Sequence, residues 1–512
     1  MARAQEEFTD KQEFLAFPPY SVRSKSAALE ELQRPCSQFR SPLSREERIR
    51  LFISGKMEGM DMLSSVTEVT APGTPLNWQS ILRYLHEKGV ITKPRFQFTA
   101  CSNDLPKSYQ LGLGTQWDER KTDGTNMKGG GFAHSRSVEI AMSKAIGEAL
   151  ERHFLTLYKR KAFLRSSREG MQKARLPTLD ISTLNGFLPW QKSRNTRFAH
   201  SDQAPISWVR AKTAEGGIAY VPAQLVFWNY NFTHDTEEPI LINPTTSGAG
   251  GYFTREGAVL SGLLENIERD GFLIYWLNGI APKRIDVGKM QDEEIQILLG
   301  EAARYGLEMY FLDITTDIGI PSTICAIVDP RGDEPVVAIG GAAGFTAKDT
   351  LLHAGHEALA VLNFVLRHRS FSLPSGYQPF TDRNIGRTER LTMWRGKEML
   401  ERFSFFLKGK MQSPEEFLGR TPVADSARER LQYVLKRLQE MGSGYEAYVY
   451  EVKDEVLKTL GYHVVQTIVP QLVPIYLSEN LPTLDSRRLR EVPAKLGYKA
   501  ADTLTPWPHP FP

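Results

Sequence analysis

The sequence predicts an α+β protein in which mixed sheets and helices surround a single site. Three observations carry that expectation. Helix-period apolar patterns run over 138–160, 255–278, 347–366 and 425–441. Strand-like runs occupy 206–228, 308–330 and 334–341, and the last quarter returns to strands in GYEAYVYEV and HVVQTIVPQLVPIYL. A Gly-rich segment stands directly ahead of three of the helices: Gly129-Gly130-Gly131, Gly248-Ala249-Gly250-Gly251 and Gly340-Gly341-Ala342-Ala343-Gly344, each read as a turn.

Along the chain, residues 1 to about 45 read as a weakly ordered lead-in around Pro18-Pro19. Two helical patterns follow, EERIRLFISGKMEGMDML and NWQSILRYLHEKGV. In the second, Ile81, Leu82, Leu85 and Val90 form an apolar stripe, with Asn77 as N-cap and Gly89 as C-cap. Residues 1–93 are therefore expected to be a lead-in with a small helical appendage, and 94–512 the main body. The segment 206–228 reads as a hairpin turning near Glu215-Gly216-Gly217.

Composition bounds the function. The 512 residues allow one large composite domain or several ordinary ones. The hydrophobic share of 41%, the charged share of 24% and a formal charge of +3 describe an ordinary globular chain, with no footprint of nucleic acid. Cys36, Cys101 and Cys325 form no CxxC pair, which argues against zinc and suits a reducing cytoplasm. The N-terminus lacks the apolar core of a signal peptide, and no apolar run is long enough to span a membrane.

The chemistry concentrates in two tetrads, Glu148-Ala149-Leu150-Glu151 and Glu265-Asn266-Ile267-Glu268, followed by Arg152 and Arg269. Carboxylates three residues apart share one helical face. A single ExxER is usually a solvated charge ladder. This one occurs twice, in apolar helices, each behind a Gly-rich segment, where a like-charged pair is costly unless something neutralises it. Mg²⁺ takes oxygen ligands and is commonly shared between carboxylates and substrate phosphates. Arg152 and Arg269 are suited to phosphate oxygens. Glycines such as Gly248 would let backbone N–H groups approach the phosphates at a helix start. No GxxxxGK[ST] motif accompanies them.

In this order, SKAIGEALER, TTSGAGG with GLLENIERD, IGGAAG with HAGHEAL, FTDRNIGRTERLTMW and IVPQLVPIYL, the residues from about 95 onward resemble the YcaO family. The resemblance implies a central ATP and Mg²⁺ site, with Glu148, Glu151, Glu265 and Glu268 as metal ligands. It also implies Arg269 and Arg152 as phosphate contacts, and Glu357 as the glutamate of the family's third motif. The chain departs from the family pattern at Lys144, where a Ser is usual, at GGGFAHS in place of Gly-Lys-Gly, and at Ala360 in place of Gln. His134, Lys144 or another lysine is expected to supply the missing charge.

The sequence closes on Pro506-Trp507-Pro508-His509-Pro510-Phe511-Pro512. Alternate prolines favour an extended, stiff strand, and Trp507 and Phe511 provide apolar anchors. A PxPxPxP end resembles the mark of azoline-forming family members. There the tail reaches the active site, so Pro508, Pro510 and Pro512 are expected to be catalytic, with the Pro512 carboxylate as a base. The resemblance then implies ATP-dependent cyclodehydration of Cys, Ser or Thr in a ribosomal precursor peptide. A leader-binding, activating-enzyme-like partner is expected as a separate protein, often with a flavin-dependent dehydrogenase, and a homodimer is left open. Two rival readings remain: thioamide or amidine formation at the same ATP site, and an inactive scaffold.

Overall fold

The computed structural model describes residues 78–512 apart from 102, 104, 127, 128, 200, 332, 333 and 420–423. The lead-in, the first helical pattern at 46–63, Cys36 and the Asn77 cap lie outside the described residues.

Three antiparallel-dominated sheets form the frame. The first orders β1 (Gln97–Phe98), β2 (Tyr109–Gly114) and β3 (Gly130–Ser135). The third runs β4 (Leu164–Ser166), β5 (Ile206–Thr213), β13 (Tyr448–Glu451), β14 (His463–Ile468) and β7 (Ala249–Tyr252), with β6 (Ile218–Pro222) also paired to β5 as the expected hairpin. The second orders β11 (Val336–Ala343), β10 (Ser322–Asp329), β9 (Glu308–Asp313), β8 (Lys283–Ile285) and β12 (Met411–Gln412). Strands β3, β7 and β11 each stand at the edge of a different sheet.

Each of these edge strands runs straight into a long helix. Helix α1 (Trp78–Glu87) precedes them and buries Trp78, Ile81, Leu82 and Leu85 in a core shared with β2, β3 and α2 (Val138–Phe154). Strand β3 leads to α2, β7 to α3 (Arg255–Leu277) and β11 to α4 (Ala347–Arg367). Ser137, Thr254 and Thr346 cap them, each accepting a hydrogen bond from the N–H three residues on. Glu148, Glu265 and Glu357 each stand eleven positions past their helix cap: 137 to 148, 254 to 265, 346 to 357. At 3.6 residues per turn this returns all three to the same side, three turns along.

The Gly-rich segments read as turns are thus mostly strand, and their glycines serve packing. Each helix folds back so closely on its strand that no side chain fits between them. A Cβ on Gly131 would lie 1.9 Å from the Ala145 carbonyl oxygen, on Gly250 2.1 Å from that of Ala258, and on Gly340 2.3 Å from the Ala358 nitrogen. Gly248 additionally adopts a φ of +86°, open to glycine at little cost.

The last two turns of α3, residues 271–277, are apolar on all sides. Phe272, Trp276, Trp394, Phe403 and Phe406 join there into one aromatic core. Asp270, just ahead of this stretch, is fully buried and paired with Arg488 through two 2.7 Å hydrogen bonds. Helix α4 covers β10 and β11 with Leu351, Ala354, Ala358 and Leu362.

The close strand–helix contact generates a paired prediction. Gly250→Ala must push α3 off β7 and should cost about 1–3 kcal/mol. Gly300→Ala, in the helix Glu293–Arg304 where a Cβ meets nothing within 4 Å, should stabilise by about 0.5–1 kcal/mol. Thermal denaturation of the two variants, moving in opposite directions from the parent, checks this.

Candidate functional site

Helix α2 also touches β7, α3 touches β11 and α4 touches β3, so the three units close on one another, and the glutamate of each helix caps the strand segment ahead of it. Phe132 N–H donates to Glu148 Oε2 at 2.5 Å, Gly248 N–H to Glu265 Oε2 at 2.9 Å, and Gly341 N–H to Glu357 Oε2 at 2.7 Å. The second glutamate of each pair faces the next strand round. A Cβ on Gly251 would lie 2.6 Å from Glu151 Oε1, and one on Gly341 2.9 Å from Glu268 Oε1. The two ExxER pairs and Glu357 therefore meet at one place. Gly248, expected to approach phosphate, gives its N–H to Glu265 here.

Bringing carboxylates together in an enclosed place raises their proton affinity. Burial, then the charges of Glu148 and Glu265, push Glu151 up to about 8. Burial, with the charges of Glu357 and Glu265, pushes Glu268 up to about 8 against the pull of Arg269. Among the described residues no three acidic, His or Cys side chains close on a single point as a ready-made cage.

The cations are set around this cluster. Arg152 bridges Glu148 at 2.5 Å and donates to the Gly130 carbonyl at 2.9 Å. Arg269 Nη2 donates to Glu265 Oε1 at 3.2 Å, and its Nη1 lies 3.3 Å from Glu268 Oε1. Its Nε and Nη1 are buried with no hydrogen-bond partner. Burial drives the Lys144 ammonium below its ordinary value, opposed by the charge of Glu357. The charge of Lys144, and after it burial, holds His353 at about 3. His134, on β3, is likewise held neutral by burial first and Lys144 second, and its Nε2 is buried without a partner. Arg387 was not singled out from the sequence. It stands, exposed, on the short helix Arg387–Thr392, within the electrostatic reach of Arg152, Glu148, Arg269 and Glu357. The signal lay in the NIGRTERL segment, whose polar composition is no different from that of a surface loop.

The tail packs inside the protein. His509 and Phe511 are fully buried, as are Pro508 and Pro510, while Pro512 is half-buried. Thr505 N–H donates to the Leu277 carbonyl at 2.7 Å, and Tyr377 OH to the Pro506 carbonyl at 3.0 Å. Arg402 lies 3.7 Å over the Trp507 ring, and Arg269 4.0 Å over the Phe511 ring.

Residues 133–473 match the family described as YcaO cyclodehydratase, ATP- and Mg²⁺-binding. The chain belongs to the YcaO family. ATP and Mg²⁺ are its cofactors. The YcaO fold agrees with solved structures. A heterocyclase in complex with substrate and cofactor superposes with a TM-score of 0.64 at 17% identity, covering 91% of this chain and 61% of that one. YcaO from Methanopyrus kandleri bound with AMPPCP and Mg²⁺ gives 0.54 at 17% identity, covering 78% and 91%. The E. coli microcin synthetase McbBCD complex with pro-MccB17 bound gives 0.51 at 16% identity, covering 82% and 96%. Among curated relatives, an uncharacterized protein in the tfuA 3' region of Rhizobium leguminosarum bv. trifolii is 26% identical over 194 residues, 37% of this chain. An uncharacterized protein of Methanothermobacter thermautotrophicus is 24% identical over 277 residues, 53% of this chain. The matches span 43% and 66% of those two relatives. Among the described residues no helix is long and apolar enough to cross a membrane.

The residues present fit both cofactors. The carboxylates supply hard oxygen donors in pairs, the arrangement that leaves phosphate oxygens to complete a Mg²⁺ shell. The unpartnered N–H groups of Arg269 suit a phosphate. A pH dependence follows. Unfolded glutamates ionise near 4.5, whereas Glu151 and Glu268 keep their protons to about 8, so the ligand-free fold binds more protons between those values and loses stability as pH rises through that window. Mg²⁺–nucleotide binding requires the ionised forms and should release about one to two protons at pH 7, falling to none near pH 9. Calorimetry in buffers of different ionisation enthalpy measures this.

Proposed function

We propose that this YcaO protein is a peptide cyclodehydratase that forms azoline rings at Cys, Ser or Thr of a ribosomal precursor peptide. The observation that carries the reading is the tail. Its alternating prolines deliver Phe511, and Pro512 beside it, to the arginine that the second glutamate pair flanks. A nucleotide-binding fold alone has no need of an extended strand driven into that place.

Bound ATP supplies the phosphoryl group that makes the amide oxygen a leaving group. Glu148, Glu151, Glu265 and Glu268 would hold Mg²⁺ against the phosphates. Arg269, with Arg152 and Arg387, offers N–H groups where phosphate charge builds, and fixed donors need no reorganisation as that charge develops. Lys144 and His134 are placed to contribute the positive and neutral donors of the departed Gly-Lys-Gly. Glu357 sets the third wall by holding the Gly341 N–H. Pro508, Pro510 and Pro512 fix the line along which the peptide lies, and the Pro512 carboxylate takes the proton of the attacking side chain. The substrate's leader is read by a separate activating-enzyme-like partner, with a flavin-dependent dehydrogenase acting on the product. Binding energy remote from the reacting amide then serves to position it.

Three measurements test this. With ATP, Mg²⁺, peptide and partner, mass spectrometry should show one water lost per ring; replacement of oxygen by sulfur would instead identify thioamide formation. Arg269→Lys should reduce kcat/KM for ATP by roughly tenfold or more, because an ammonium cannot copy a planar fork. Omitting the leader-binding partner should raise KM for the peptide, and removing its leader should abolish that difference.

A further inference from the structure

Arg269 is the cation most fully enclosed by the cluster, and three walls hold it. Glu265 takes Nη2, Glu268 lies beside Nη1, and the Phe511 ring covers the guanidinium at 4.0 Å. Phe511 is itself fully enclosed. Its ring packs on Phe272 at 4.6 Å between centroids, and its outer edge meets β11 where Gly341 has no side chain; a Cβ there would lie 2.7 Å from Phe511 Cζ. The same Gly341 faces Glu268 and gives its N–H to Glu357. One aromatic ring thus touches the arginine and the strand that carries a glutamate of the site.

The tail's path to this point is fixed two residues earlier. His509 is buried beneath Phe272 and edge-on to Tyr476 at 4.7 Å. Arg390, also fully buried, lies 2.6 Å from His509 Nε2 and donates to the Tyr476 carbonyl at 2.5 Å. From that anchor Pro510 can lead in one direction only, because its φ is fixed.

We propose that Phe511 is a positioning residue for the nucleotide, presenting Arg269 to the phosphates so that docking of the tail completes the ATP site as well as the peptide site. The physical basis is that an arginine flanked by two carboxylates has two ways to spend its donors. It can turn all of them onto Glu265 and Glu268, or hold the plane seen here, with Nη2 on Glu265, Nη1 at ion-pair distance from Glu268 and Nε without a hydrogen-bond partner. A ring stacked on the guanidinium face restrains the plane while taking none of its in-plane N–H groups. The inference rests on the reading of Arg269 as a phosphate contact, but not on what is done to the peptide.

The test measures affinity for Mg²⁺ with a non-hydrolysable ATP analogue by calorimetry, on the full chain without peptide. Phe511→Leu keeps apolar bulk and removes the ring face; the dissociation constant should rise about tenfold, the scale of a desolvated cation–π contact. Removing Pro512 alone should leave this constant within about twofold while stopping ring formation. The decisive arm is a double-mutant cycle. On an Arg269→Met background, Phe511→Leu should cost no further nucleotide affinity, since the residue it positions is gone. Thermal denaturation confirms that each variant folds. An equal loss on both backgrounds would assign Phe511 to general packing and overturn the proposal, as would an unchanged constant in Phe511→Leu. If Pro512 removal stops no reaction while the cycle behaves as stated, the azoline reading fails and the positioning role stands.

Discussion

Everything at the centre depends on a sheet edge that is closed by a carboxylate. An exposed edge strand offers unpaired N–H groups that would pair with any neighbour. Here three such edges face inward, and each is capped at one N–H by a glutamate from the helix that follows it. The hydrogen bond aims one oxygen of the carboxylate and fixes the side chain by backbone geometry. It also sets how near the three strands can stand. The repulsion between the carboxylates is accepted because each is anchored separately, and because arginines sit among them.

That arrangement explains why some of the site was legible in the sequence and some was not. The two ExxER tetrads stood out because charge recurred within apolar helices, and the structure brings all four glutamates and Glu357 together. The glycines stood out for the wrong reason. Gly-rich runs ahead of helices read as phosphate-cradling turns, whereas Gly131, Gly250 and Gly340 are strand residues on which a helix rests. Sequence records that no side chain is tolerated, and it does not record what takes the space. The hairpin at 206–222 and the four long helices were legible from periodicity alone, although α2 ends at Phe154, short of the expected 160.

Arg387 was invisible for another reason. Its neighbours in sequence are mostly polar, and the charges it faces lie on three other helices, so no local periodicity marks it. Lys144 and His134 drew notice only as departures from a family pattern. The structure adds why a lysine is tolerable there: Glu357 offsets part of the cost of enclosing it. The Asp270–Arg488 pair, adjacent to Arg269, has no place at the site. It ties α3 to the helix Arg487–Lys495, and removing one partner of so enclosed a pair would cost about 3–5 kcal/mol.

The three strand–helix units differ from the site they build in one further respect. Each cap closes a loop of only sixteen or seventeen residues, so each unit is assembled from local contacts. The joints between units are not local: Asn266, within the second tetrad, hydrogen-bonds Thr467 across 201 residues, and His509 meets Arg390 across 119. Local contacts form early and cheaply in chain entropy, distant ones late. By chain entropy alone, setting each glutamate against its own strand is the inexpensive part of building the site, and bringing β14 and the tail to it is the expensive part.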